Sequence, residues 1–297
     1  KNHKSGLSPQ EISQQLNLTL YSVKVLLEAG MAMGILTLEA DKYFITKTGF
    51  FLIADEMTMI NMDFVNDVCY QGMFHLEEAI NNGKPEGLKV FGQWDTIYQA
   101  LASLPPKVQK SWFDFDHYYS DGAFADALKI IFKDNPRKIL DIGGNTGKWA
   151  LKCARYSEEV TVTILDLPGQ LEMAYQNIEK ENLTARINGY EADILASSTM
   201  IPSGYDVIWM SQFLDCFSET QIVAILKKVR ESLNEQSTIY IMETFWDRQD
   251  YEAACFCLIG TSLYFTAMAN GCSKMYHSQE LIDCINEAGL VVTAEHN

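Results

Sequence analysis

Apolar residues in the second half of the chain alternate between short unbroken runs and runs with helical spacing. The unbroken runs are short enough for buried strands and cover residues 139–140, 160–165, 207–210 and 239–242. Helical spacing follows them over residues 149–155, 170–181 and 220–233. This alternation is typical of a doubly wound, mostly parallel sheet with helices on both faces. We therefore predict an α/β fold with a Rossmann-like sheet.

The front of the chain, residues 8–52, has the pattern of a winged helix. Ser-Pro-Gln-Glu at residues 8–11 is a capping box with proline at the first helical position. Thr19 is placed to cap a second helix, and Gly34 to end it. Two short strands, at residues 35–38 and 43–46, flank a four-residue turn. Two helices followed by a hairpin predict a winged-helix-like unit.

Residues 53–104 carry more apolar side chains than one solvated helix needs. The surplus includes Met57, Met59, Ile60, Met62, Phe64 and Val65. Such a surplus indicates burial against another chain or domain. The sequence Leu-Pro-Pro at residues 104–106 then breaks the pattern. We predict a winged-helix-like and helical dimerisation domain over residues 1–104, a second domain over residues 105–297, and a homodimer.

Charge and cysteine content limit the classes of partner. The formal net charge of −16 repels phosphate backbones, and the front block balances five lysines against four acidic residues. DNA readers carry a basic stripe, so we expect no nucleic-acid partner, and a transcription regulator is disfavoured. We see no long uncharged apolar run and expect no membrane partner. Seven scattered cysteines without a Cys-x-x-Cys pair suit a reducing cytoplasm and predict no metal site.

A glycine-rich turn follows the first predicted strand of the α/β part. Glycines let the backbone turn sharply and approach a ligand, which binds at the carboxyl ends of such strands. A dinucleotide fingerprint needs glycine at its first, third and sixth positions. Counted from Gly143, those positions hold Gly143, Asn145 and Lys148, so the fingerprint fails. The pattern present is Asp-x-Gly-x-x-x-Gly over residues 141–147.

This pattern resembles the first motif of class I S-adenosylmethionine-dependent methyltransferases. Asp166 ends the next strand about 20 residues later, placed to accept both ribose hydroxyls of the cofactor. Asp193 ends the strand after that and is suited to hold the adenine amino group, with Ile194 packing on the ring. The three features in this order predict a methyltransferase sheet that binds S-adenosylmethionine.

Residues 139–243 resemble the plant caffeate and animal hydroxyindole type of O-methyltransferase and their bacterial relatives. Leu-Asp-Leu-Pro at residues 165–168 is typical of that family, and the front region and Ala-Gly-Leu at residues 288–290 also resemble it. The resemblance implies a front region that dimerises and a partner chain that helps to close the acceptor pocket. The predicted cofactor contacts are Asp141, Gly143, Gly144, Asn145, Gly147, Asp166, Leu167, Asp193, Ile194, Ser211 and Gln212.

The resemblance breaks at the catalytic position. The family motif Leu-His-Asp-Trp-Ser-Asp, with histidine as general base, is matched by Leu-Asp-Cys-Phe-Ser-Glu at residues 214–219. Asp215 stands in place of the histidine, and Ser211 in place of an upstream lysine. Burial raises an aspartate pKa by up to about 3–5 units, which brings it closer to that of a phenol. Asp215 is therefore either the base or a cap of the following helix.

A second candidate base and the acceptor pocket fall in an aromatic stretch before the cofactor domain. In the family this stretch lines the pocket, which makes His117 a candidate base, although a structural role is the alternative. The predicted acceptor contacts are Trp112, Phe115, Tyr118, Tyr119, Tyr264 and Met268. Aromatic and methionine stripes also occur in ordinary cores, so packing is the alternative for these residues.

Two functions follow from these residues. The favoured one is an S-adenosylmethionine-dependent methyltransferase that O-methylates a small aromatic or hydroxylated acceptor. The alternative is a non-catalytic dimeric cofactor-binding or regulatory protein that kept the methyltransferase fold. The missing histidine supports the alternative, whereas the complete cofactor motifs support the enzyme.

Overall fold

The computed structural model describes residues 5–297. Lys1 and Lys4, two of the lysines in the charge balance of the front block, lie outside the described residues. The chain packs as two compact units, one ending at Phe64 and the other formed by Val65–Asn297.

The first unit contains helices and one hairpin. Its elements are α1 (Pro9–Leu16), α2 (Leu20–Ala32), β1 (Leu36–Glu39), β2 (Lys42–Ile45), α3 (Lys47–Ala54) and α4 (Glu56–Asp63). Ser8 Oγ accepts from Glu11 N at 3.3 Å, and the Glu11 carboxylate accepts from Ser8 N at 2.7 Å, so the predicted capping box is confirmed. Strands β1 and β2 pair antiparallel around a turn in which Ala40 and Asp41 have positive φ.

The second unit is the predicted doubly wound α/β layer structure. Its helices are α5 (Leu76–Asn82), α6 (Ile97–Ala100), α7 (Pro106–Asp121), α8 (Phe124–Ile131), α9 (Lys148–Tyr156), α10 (Pro168–Lys180), α11 (Glu219–Ser232), α12 (Glu252–Tyr264) and α13 (Ser278–Glu287). Its strands are β3 (Lys138–Ile142), β4 (Thr161–Asp166), β5 (Ile187–Glu191), β6 (Val207–Ser211) and β7 (Thr238–Met242).

All neighbouring strands of this sheet are parallel, in the order β5-β4-β3-β6-β7. Successive side chains of β3 enter opposite cores: Ile139 packs with Trp149 of α9, and Leu140 packs with Ile222 of α11. Because both faces are covered, the strands read as unbroken apolar runs. The strand order reverses between β3 and β6, and a ligand crevice is expected beyond their carboxyl ends.

The predicted division after residue 104 does not coincide with the boundary between the two units. Short 3₁₀ turns at Gly72–His75 and Glu86–Val90 pack against Phe265–Ala269, which follows α12. Met268 is fully buried there, and a Cβ added to Gly72 would clash with its sulfur. The residues just after Val65 therefore share a core with the end of α12. A functional dimerisation domain over residues 1–104 stays a prediction.

One helical segment is longer and more apolar than the sequence analysis predicts. By length and composition alone, Glu252–Ala269 is apolar enough to cross a membrane, so the expectation that no such run exists is wrong. Its last residues, Tyr264 to Ala269, lie in the core, whereas Phe256, Ile259 and Leu263 before them are exposed. Core packing accounts for the apolar character of the end of the segment.

Candidate active site

The turn after β3 brings its backbone to the crevice between β3 and β6. Gly143 N donates to Leu165 O at 2.9 Å, which ties the turn to β4. Gly143 has φ +73°, and a Cβ there would overlap the ring of Phe213. Gly147 has φ +78° and leads directly into α9. The first and last glycines of the motif are therefore required by backbone conformation, and the first also by the approach of an aromatic ring.

Asp141 and Asp166 supply carboxyl groups on the two sides of this turn. Asp141 is 2% exposed, and its Oδ2 has no hydrogen-bond partner among the described residues. Burial, reinforced by the charge of Asp166, raises the pKa of Asp141 well above its ordinary value. A buried acceptor without a partner is costly, and a ligand donor would satisfy it.

Asp166 is held in place by the backbone. Its Oδ2 accepts from Asn145 N at 2.8 Å, and its Oδ1 accepts from Leu167 N at 2.7 Å. Each oxygen keeps a second lone pair for a ligand hydroxyl. Burial raises the pKa of Asp166 to about 6. Asp166 is thus aimed by Asn145 and Leu167, both predicted cofactor contacts.

The predicted adenine contacts have other partners in the fold. Asp193 is exposed, and its Oδ1 accepts from Leu195 N at 2.9 Å. Ile194 is 6% exposed and packs in the core with Leu165 and Met210. Local turn formation and core packing account for both residues, and their contact with adenine stays a prediction.

The turn after β6 forms the opposite wall of the crevice. Ser211 Oγ is buried without a partner among the described residues, and Gln212 has φ +45°. Phe213 N and Leu214 N both donate to Glu243 Oε1, at 3.0 and 2.7 Å. Glu243, directly after β7, was not predicted from the sequence. It fixes the short turn Leu214–Cys216 that carries Asp215.

Asp215 does not cap the following helix. Ser218 is the N-cap of α11, and Gln221 completes a capping box with it, so the capping alternative for Asp215 is wrong. The Asp215 carboxylate accepts from the Cys216 thiol, whose Sγ lies 3.5 Å from Oδ1. Burial raises the pKa of Asp215 to about 6. Asp215 is therefore a half-buried carboxyl group in the turn after β6, and it does not cap a helix.

Helix α7 contacts the glycine turn through two side chains. Asp116 Oδ2 accepts from Asn145 Nδ2 at 3.1 Å, and His117 Nε2 lies 3.2 Å from Thr146 Oγ1. Burial, reinforced by the charge of Asp215, raises the pKa of Asp116 to about 7. Burial, reinforced by the charge of Lys148, lowers the pKa of His117 to about 4. His117 is consequently uncharged near neutral pH and is a weaker proton acceptor than Asp215.

The predicted aromatic lining falls into three groups. Trp112 and Tyr264 are buried, and Trp112 Nε1 donates to Tyr264 Oη at 2.7 Å. The rings of Phe115 and Tyr119 contact each other at a tilt, with centroids 5.1 Å apart, while Tyr118 and Tyr119 are exposed. Met268 lies in the core described above. Trp112 and Tyr264 are joined on one side of α7, and the acceptor contacts of all six residues stay predictions.

Comparison with known proteins identifies the family. Residues 73–290 match the O-methyltransferase domain, and residues 1–43 match a Dimerisation2-like domain. The chain belongs to the O-methyltransferase domain family. It is also similar to an L-tyrosine C(3)-methyltransferase of Streptomyces lavendulae, with 22% identity over 97% of this chain and 78% of that protein.

Solved structures show the same fold. An O-methyltransferase family protein from Burkholderia thailandensis superposes with a TM-score of 0.73 at 18% identity, covering 99% of this chain and 86% of that one. An O-methyltransferase from neocarzinostatin biosynthesis, in complex with S-adenosylmethionine and 2-hydroxy-5-methyl naphthoic acid, gives 0.72 at 20% identity, covering 99% and 88%. These likenesses show that this O-methyltransferase has the Rossmann-like methyltransferase fold. The family matches make it an S-adenosylmethionine-dependent enzyme with an N-terminal dimerisation domain.

Alanine at Gly143 of this O-methyltransferase is expected to destabilise the fold by roughly 1–3 kcal/mol, because a positive φ is strained for alanine and the methyl group meets Phe213. Gly204→Ala is the matched control, since Gly204 has φ +92° but nothing within 4 Å of an added Cβ. Denaturant unfolding should give a larger loss for Gly143→Ala. Equal losses would show that the contact with Phe213 carries no cost.

Proposed function

We propose that this enzyme methylates a small aromatic or hydroxylated acceptor, with Asp215 as the general base. The observation that carries the proposal is the Asp215 carboxyl group, which is half-buried, has no capping role and lies two residues after Phe213, the ring against Gly143. Relatives support an aromatic acceptor: one is an L-tyrosine C(3)-methyltransferase, and another is a 3-hydroxy-5-methyl-1-naphthoate 3-O-methyltransferase of Streptomyces sahachiroi. We also propose kinship with the caffeate and hydroxyindole type, with aspartate replacing its catalytic histidine.

The residues at the crevice fit the cofactor. Asp141, with its unpartnered buried oxygen, would hold the ammonium group, and Asp166 would hold the ribose hydroxyls. Gly143 and Gly147 allow the backbone to approach the methionine portion. When bound, S-adenosylmethionine supplies a methyl group already activated by the sulfonium.

The residues of the enzyme align the acceptor with the methyl group and remove the proton of its hydroxyl group. Holding the acceptor oxygen in line with the methyl group makes the transfer effectively unimolecular. Asp215 accepts the hydroxyl proton as the oxygen is methylated. An ordinary aspartate, with a pKa about 3.9, lies roughly six units below a phenol. Since burial raises the pKa of Asp215 to about 6, the gap narrows to about four.

Incubation with S-adenosylmethionine and panels of phenols, hydroxynaphthoates and hydroxyindoles tests this function. Formation of S-adenosylhomocysteine is the first readout, and the mass and NMR spectrum of the product give the methylated atom. Methylation of an acceptor oxygen is the expected result. Transfer to a ring carbon would replace O-methylation by C-methylation, and no transfer to any hydroxylated aromatic would overturn the proposal.

We also infer that the enzyme works as a homodimer. The Dimerisation2-like match supports this, as do exposed apolar side chains in the first unit, such as Tyr21, Leu26 and Ile53. Light scattering at micromolar concentration should give twice the mass of the chain. Leu26→Glu should shift the equilibrium toward monomer because it charges an apolar contact, whereas Gln14→Glu adds the same charge at an exposed polar position. A monomeric wild type would contradict the inference.

Two features support the predictions of a cytoplasmic location and of no nucleic-acid or membrane partner. The net charge of −16 favours neither nucleic acid nor an anionic membrane as partner. All seven cysteines are free thiols, as suits a cytoplasmic protein.

A further inference from the structure

The carboxyl group of Asp116, which contacts the glycine turn, has no role in the function proposed above. Asp116 is anchored through Oδ2, which accepts from Asn145 Nδ2 at 3.1 Å. Its Oδ1 has no hydrogen-bond partner among the described residues, and the side chain is 25% exposed. Asp116 is thus fixed through one oxygen and presents the other to a ligand. Trp112, one helical turn earlier, puts a buried aromatic ring on the same face of α7.

Asp116 is close enough to Asp215 for the two carboxyl groups to repel each other. The charge of Asp215 is a cause of the raised pKa of Asp116, second only to burial. Asp215 Oδ2 is also without a hydrogen-bond partner among residues 5–297, and burial together with the charge of Asp215 raises the pKa of Glu243. Asp116 and Asp215 therefore each keep one carboxylate oxygen unshared, and the charge of Asp215 reaches Asp116.

Few positive charges among the described residues balance the carboxylates of Asp116 and Asp215. Lys148 acts on Asp116, but its ammonium lies 2.9 Å from Asp121 Oδ2, which already compensates it. His117 Nδ1 is 3.7 Å from Asp116 Oδ2, and the lowered pKa of His117 leaves the ring uncharged. Within the described part of the chain, neither Asp116 nor Asp215 forms an ion pair with lysine or arginine.

An independent polar atom also lacks a partner in this region. The hydroxyl of Tyr98 is buried, and the Cys216 thiol is its polar neighbour, but it has no hydrogen bond of regular geometry within residues 5–297. Burial, the Cys216 thiol and the Asp215 carboxylate raise the pKa of Tyr98, which places its hydroxyl near the turn that carries Asp215. Buried hydroxyl groups without partners are uncommon, and a ligand polar group would satisfy this one.

Resting on the function proposed above, we propose that the aromatic acceptor carries a protonated amine and that Asp116 binds this ammonium group. Asp215 then faces the nucleophilic atom, and the two carboxylates have separate roles on one ligand. A cation between them removes their repulsion, which a neutral acceptor does not do. A carboxylate on the acceptor would add a third negative charge. The paired rings of Trp112 and Tyr264 supply an apolar wall for the aromatic body.

Three phenols of similar size test the charge preference: tyramine, 4-ethylphenol and 3-(4-hydroxyphenyl)propionate. The wild-type enzyme should have the highest kcat/KM for tyramine, by about 10- to 100-fold over 4-ethylphenol, because a charged hydrogen bond is made only by the amine. Asp116→Asn should abolish the preference for tyramine by raising its KM. The matched control is Asp114→Asn, which removes a carboxylate of the same helix that pairs with Lys110.

A binding measurement separates this inference from the proposed function. 2-Phenylethylamine has the amine but no hydroxyl, and 3-phenylpropionate has the opposite charge. Calorimetry in saturating S-adenosylhomocysteine should detect the amine with wild type and Asp114→Asn, and at least tenfold weaker binding with Asp116→Asn. If no phenol is methylated but 2-phenylethylamine still binds in this pattern, the proposed methylation is refuted and the amine-binding role of Asp116 is supported. If the acid or the neutral phenol is preferred, or if Asp116→Asn loses kcat equally for all three, the amine site is overturned.

Discussion

Asp166→Ala is expected to weaken S-adenosylmethionine binding by about 2–4 kcal/mol, roughly 30- to 1,000-fold. The carboxylate is placed to accept both ribose hydroxyls, and the N–H groups of Asn145 and Leu167 already aim its two oxygens. Losing it removes two charge-assisted bonds from a partly buried site. Titration calorimetry measures the effect directly.

Glu191→Ala is the matched control for Asp166→Ala. Glu191 lies opposite Asp166 in the register of β4 and β5, but its side chain is exposed. Its removal should leave cofactor affinity unchanged. Because Asn145 N also loses its acceptor in Asp166→Ala, denaturant unfolding must show that the variant is folded at the temperature of the titration. A folded Asp166→Ala protein with wild-type affinity would refute the ribose contact.

Asp215→Asn is expected to lower turnover by about 10²- to 10⁴-fold while cofactor affinity stays unchanged. Asparagine keeps the size of the side chain and its hydrogen bonding but cannot take the proton. The active form of Asp215 is the carboxylate, and burial raises its pKa to about 6. The wild-type kcat/KM should therefore rise as pH increases through about 6. Because Asp116 and Asp215 interact, the pKa seen in this pH profile reflects the titration of both carboxyl groups. The rise of kcat/KM with pH should be lost or shifted in Asp215→Asn.

His117→Gln is the comparison that decides between the two candidate bases. The imidazole contacts Thr146 and has a lowered pKa of about 4, so its loss should change turnover far less than the loss of Asp215. A larger loss in His117→Gln than in Asp215→Asn would reverse the assignment. Full activity in both variants would mean that catalysis is proximity and orientation alone, on an acceptor that needs no base.

The sheet was predictable because both of its faces are buried. Unbroken apolar runs at residues 139–140 and 207–210 lie within β3 and β6, and the structure extends the first by three residues and the second by one. Asp166 was predictable for a related reason, since a strand end at a fixed spacing from a glycine turn has a fixed place in a parallel sheet.

Asp116 and Glu243 were not predictable in the same way. Asp116 contacts Asn145, 29 residues away, and Glu243 contacts Phe213, 30 residues away. No local pattern encodes such pairings, because they depend on how α7 and β7 pack on their neighbours. The capping alternative for Asp215, by contrast, could have been rejected from the sequence. Ser218 followed by Gln221 is itself a capping box, and it leaves Asp215 outside the helix.

The predicted division after residue 104 and the packing boundary after Phe64 differ for a comparable reason. The two prolines do start α7 at Pro106, so the break in secondary structure is real. A break in secondary structure is local, whereas a packing boundary depends on remote contacts such as those of Met268 with Gly72.

Asn145 makes the two ligands of this enzyme thermodynamically interdependent. Its backbone N–H bonds Asp166 and its side-chain amide bonds Asp116, so one residue connects the carboxylates proposed for the ribose and for the amine. A shift of Asn145 on binding of one ligand would therefore move the carboxylate that holds the other. Linkage then demands reciprocity: the factor by which cofactor tightens acceptor binding equals the factor by which acceptor tightens cofactor binding. Any preferred order of addition is consequently a matter of rates, because the cooperativity has no direction.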